Sequence, residues 1–131
     1  DFSGNWQGEC NHPKVADLLI KQQPQQISLY YGGISEKYQI GELNVLSSFS
    51  KRSSESSSVI VSWAKSDQAL VFLHSLGYTT SSGETSAVHF SKSTMQLIQN
   101  TLQITTQYFN TPNTVGEVNQ ETIKCIYTQI S

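Results

Sequence analysis

The chain has 131 residues and a net charge of −2, with 37% hydrophobic and only 14% charged residues. That length suits a single domain able to bury a core without help from a metal or cofactor. Ser, Thr, Gln and Asn take the place of long charged side chains, and the nearest approach to a basic stripe is Lys51-Arg52, which excludes nucleic acid and anionic membrane surfaces as expected partners.

Phe2, Gly4, Trp6, Gly8 and Cys10 alternate with Ser3, Asn5, Gln7 and Glu9, the period of two that marks a half-buried strand. From Pro13 to Lys21 two readings compete. Pro13 could open a short helix at its first position; the preferred reading is a strand over 18–22, a turn at Pro24 and a strand over 26–31, ended by Gly32-Gly33. Tyr38 and Ile40 alternate up to Gly41, an expected bulge or bend, and Leu43 and Val45 resume on the other parity. Residues 47–58 hold eight serines in twelve positions, which predicts an exposed, mobile loop or hairpin tip.

Val59, Val61 and Trp63 form the next alternating run, and 69–78 is the most apolar stretch. Residues 95–98 and 101–109 predict a hairpin about Gln99-Asn100. Met95, Ile98, Leu102, Thr105 and Phe109 also fall at helical spacing, but the Thr-rich, β-branched content favours strands. A loop over 110–119 leads to a last strand carrying Ile123, Cys125 and Tyr127. Connections are too short for parallel crossovers, so the expected fold is all-β and antiparallel, with about eight to ten strands.

Cys10 and Cys125 lie near opposite ends of the chain. An even pair joining the first strand to the last predicts a disulfide made in an oxidising compartment, secreted or periplasmic; the competing reading is two buried thiols in the cytosol. Closing so long a loop stabilises by on the order of 5 kcal/mol in the chain-entropy picture. The link also brings the sheet's two ends together, which favours a closed up-and-down barrel. The chain opens on Asp1 and its only methionine is Met95, as expected of a mature product whose targeting segment is gone. No stretch approaches the roughly 18 apolar residues of a membrane span.

Catalytic signatures are weak. Two S-x-x-K strings, Ser48 to Lys51 and Ser62 to Lys65, need a helix to bring serine and lysine together; on a strand, residues three apart face opposite sides. Asp17, Glu36, Glu42, Asp67, Glu84, Glu117 and Glu121 are scattered and read as solubilising surface charge. With a turn centred on Ser81-Ser82, His74 faces His89 directly across the hairpin, a candidate metal or pH-sensing pair that lacks a third ligand. Trp6, Tyr31, Trp63, Phe72, Tyr108 and Tyr127 fall mostly on inward parities. They either fill the core or line a pocket for a small apolar ligand.

Gly4-Asn5-Trp6 on the first strand resembles the G-x-W motif of lipocalins and the wider calycin barrels. That resemblance implies a calycin-like barrel whose Trp6 plugs one end and packs against the closing strand. The lipocalin arginine that closes over the tryptophan has no counterpart here; Lys124 is the nearest cation. Gly4 to Cys10, with Leu19 to Gln22, Ile40-Gly41, Trp63 and Lys124 to Tyr127, also looks like small secreted bacterial proteins of unassigned role. Avidin-type barrels share the early G-x-W and a later aromatic strand, but their biotin-site pattern is not recognisable. The expectation is a non-enzymatic binding barrel without a cofactor. The alternative is a protein-interaction module, such as a secreted inhibitor or effector, using loops 47–58 or 110–119. An enzyme ranks third, because no nucleophile, base or metal constellation can be assembled.

Overall fold

Period-two alternation turns most of the described chain into strand. The computed structural model describes residues 1–11, 17–49, 53–64, 68–80, 85–111 and 119–130. Its strands are β1 (Gly4–Cys10), β2 (Asp17–Gln23), β3 (Gln26–Tyr31), β4 (Ile34–Gln39) and β5 (Leu43–Phe49), followed by β6 (Ser53–Trp63), β7 (Ala69–Thr80), β8 (Thr85–Ile98), β9 (Thr101–Thr111) and β10 (Asn119–Ile130). They form one antiparallel ten-stranded sheet in the order β4-β3-β2-β1-β10-β9-β8-β7-β6-β5. The chain therefore meanders, and its first strand pairs with its last.

Cys10 sits directly opposite Cys125 in the β1–β10 ladder, and the two form a disulfide with Cα atoms 4.0 Å apart. The next position out is hydrogen-bonded: the Asn11 N–H donates to Lys124 O at 3.0 Å. The cysteines thus occupy a non-hydrogen-bonded pair, where facing side chains come closest. This is the expected link between the ends of the sheet.

The sheet curls until β4 approaches β5 and β6, making a nearly closed barrel. The seam has little regular ladder. The Gly41 N–H donates to Val61 O at 2.6 Å beside an isolated bridge between Ile40 and Val61. The Asn44 side chain spans the rest. Its Oδ1 accepts from the Gln39 N–H at 3.0 Å, and its Nδ2 donates to Gln39 O and Val59 O, each at 3.2 Å. One amide side chain thereby bonds both backbone groups of Gln39, as a neighbouring strand would. Gly41, with φ of 85°, makes the sharp bend into β5.

Two hairpins turn on paired left-handed residues, Gly32-Gly33 (φ 53° and 77°) and Gln99-Asn100 (φ 50° and 65°). That conformation matches the twist of tight antiparallel hairpins. Phe2, Trp6, Ile20, Ile27, Val61, Leu70 and Leu102 are buried together. They lie on the inner face toward the start of β1, β3, β7 and β9 and the end of β2 and β6, so they fill one end of the barrel.

Two expectations need correction. Of the two readings of the serine-rich 47–58 segment, loop or hairpin tip, the loop fails: the segment is the far part of a hairpin in which β5 runs to Phe49 and β6 begins at Ser53, with only 50–52 outside the described residues. A ladder needs backbone groups rather than apolar side chains, and Ser57 and Ser58 pair with Leu76 and Ser75, the serine hydroxyls of 58 and 75 lying 2.7 Å apart. His74 is not across from His89 either. Ser91 faces His74 and Leu76 faces His89, with a register irregularity between Tyr78 and Thr79. The two histidines share a face as diagonal neighbours. His12, Ser81-Ser82, Lys51, Lys65 and 112–118 of the expected loop lie outside the described residues.

Candidate functional site

Beyond the packed end, the inner faces line a cavity of about 490 Å³ that opens to solvent. Its apolar wall comes from Leu18 on β2, Leu29 on β3, Val59 on β6, Phe72 on β7, Met95 on β8 and Ile104 on β9. Each stands at an inward position of its strand, so alternation alone aims it at the lumen. Ile123, Cys125 and Tyr127 of β10 add to the wall, which places the disulfide on the cavity lining.

Polar groups enter from two sides. On β8 and β9, Ser91, Ser93 and Thr106 line the cavity. Ser93 and Thr106 face each other in register with hydroxyl oxygens 2.8 Å apart, so each is partnered. On β3 and β4, Tyr31, Glu36 and Tyr38 do so. The Tyr31 hydroxyl donates to Glu36 Oε1 at 2.8 Å and the Tyr38 hydroxyl donates to Oε2 at 2.9 Å. Burial, reinforced by the hydrogen bond to the Glu36 carboxylate and by its charge, pushes both phenols well above the ordinary tyrosine range. Burial pushes Tyr127 up as well.

Of the six aromatic side chains expected to fill the core or line a pocket, Tyr31, Phe72, Tyr108 and Tyr127 line the cavity. Trp6 and Trp63 do not. Trp6 is buried with its Nε1–H donating to Phe2 O at 2.9 Å, and Trp63 stacks on the Phe2 ring at 5.9 Å between centroids. Trp6 belongs to the core of the filled end, and Trp63, partly buried, packs against that core. His74 lines the cavity. Among the described residues no group of three or more histidines, cysteines and carboxylates could hold a metal ion.

Glu36 is the residue sequence reading missed. Scattered acids read as surface charge, yet Glu36 shares the inward parity of Tyr38 and faces Leu29 across the ladder. That shared parity was the available signal. The exposed apolar side chains Leu43, Val45, Ile60, Leu73 and Phe90 are 44% to 61% exposed. They lie on the outer face of β5 to β8, where Leu43, Ile60 and Leu73 follow one another across the sheet, rather than among the loops. No protein-family model and no curated protein matches the chain.

Proposed function

We propose that this chain is a non-enzymatic, extracytoplasmic binding protein whose calycin-like barrel holds a small apolar ligand. The observation that carries the reading is the cavity of about 490 Å³ walled by Leu18, Leu29, Val59, Phe72, Met95 and Ile104. Protein interiors are close-packed, whereas these apolar side chains line open space rather than one another. One end of this barrel is packed solid, so chain length and composition do not prevent filling the other. The volume falls in the range of small-molecule sites, which are mostly apolar with a few convergent polar groups. The Cys10–Cys125 disulfide supports secretion or a periplasmic location.

Native mass spectrometry of protein purified from its own source tests the reading. A co-purifying small molecule, released on denaturation, is the expected result. A bare chain that also takes up no apolar compound would instead favour a protein-interaction module.

A further inference from the structure

Resting on the ligand-barrel reading, we propose that the cavity selects an apolar ligand carrying a protonated amine, received by the Glu36 carboxylate between Tyr31 and Tyr38. Both phenol protons are committed to Glu36, one to each carboxylate oxygen. The tyrosines therefore present only oxygen lone pairs to anything in the lumen. A carboxylate has about four lone-pair sites, and the phenols occupy two. The cluster is an acceptor without a free donor, and it bears a negative charge.

Among the described residues, no lysine or arginine lines the cavity; His74 is the other titratable side chain there besides the tyrosines. A ligand carboxylate at this position would meet like charge and no hydrogen-bond donor. An ammonium brings three donors to the free lone pairs. Aromatic faces add to the preference, since a cation is drawn to the ring quadrupole. The Tyr38 and Phe72 rings meet edge to face, 5.9 Å between centroids, on this side of the lumen. The apolar wall beyond, from Leu29 to Ile104, receives the hydrocarbon part.

The test is calorimetric titration of the full chain with octylamine, octanol and octanoate, which share one hydrocarbon chain and differ in charge. Octylamine is expected to bind about tenfold or more tighter than octanol, with octanoate weakest. Glu36→Gln, its fold checked by circular dichroism, is expected to bring octylamine to the affinity of octanol. Octanol or octanoate binding as tightly as octylamine, or an amine preference that survives in Glu36→Gln, would overturn the inference and leave the ligand barrel standing. If none of the three binds, the ligand-barrel reading falls, and the inference with it.

Discussion

The ring of Tyr127 lies across the bare backbone of Gly8, its partner on the neighbouring strand. A Cβ built on Gly8 would stand 2.6 and 2.7 Å from two atoms of that ring, closer than van der Waals contact allows. Glycine thus gives an aromatic side chain room at the point where the first and last strands meet, and Tyr127 also lines the cavity. Gly8→Ala should displace the ring and destabilise the fold by about 1–3 kcal/mol, as overpacked sites do. Urea denaturation of the two proteins checks this; unchanged stability would mean the ring moves aside freely.

The cross-link between β1 and β10 makes a second prediction. Cys10→Ser with Cys125→Ser should cost about 2–5 kcal/mol, mostly by freeing the unfolded chain. Non-reducing mass spectrometry of the native protein should show the loss of two hydrogens relative to the reduced chain. Free thiols in protein taken from an oxidising compartment would remove the covalent link on which closure of the first and last strands leans.

At the opposite seam, the amide of Asn44 bonds both backbone groups of Gln39 and the carbonyl of Val59. Asn44→Ala should cost about 1–3 kcal/mol, because it strips partners from half-buried backbone groups. Hydrogen exchange should accelerate first at the Gln39 amide. Uniform acceleration across all strands would show that the seam does not open locally.

Tyr31, Tyr38 and Tyr127 are held protonated above the ordinary tyrosine value of 10.0. The native state then keeps protons that the unfolded state gives up. Their contribution to stability is fully present below about pH 10 and declines as pH rises beyond it. A late stage of tyrosinate absorbance should therefore appear, coinciding with loss of the near-ultraviolet circular dichroism signal. Tyr31→Phe should shrink the late stage. Absence of any late stage would contradict the buried cluster.

What could be read from sequence, and what could not, follows from the reach of each signal. β1 was legible because Trp6, Gly8 and Cys10 alternate with polar residues over a whole strand, and the cysteine pairing followed from their placement on the first and last strands. The serine arms of β5 and β6 were not, since their order comes from ladder partners such as Leu76 and Ser75 and not from apolar periodicity. The His74–His89 alignment failed because a two-residue change of register near a hairpin tip leaves the local pattern intact. Glu36 was misread for a related reason: an acid on an inward parity looks like surface charge until Tyr31, from the neighbouring strand, is placed beside it.

The central claim is that the space above the packed end receives a ligand. Titration with an environment-sensitive apolar fluorophore tests it most directly, on the native chain and on Ser91→Phe, which places a ring at a cavity-lining position. The account predicts saturable binding near one probe per chain, weakened about tenfold or more in the filled variant as bulk replaces accessible volume. Binding of equal strength in both proteins would put the probe elsewhere and contradict the account, as would no binding to the native chain.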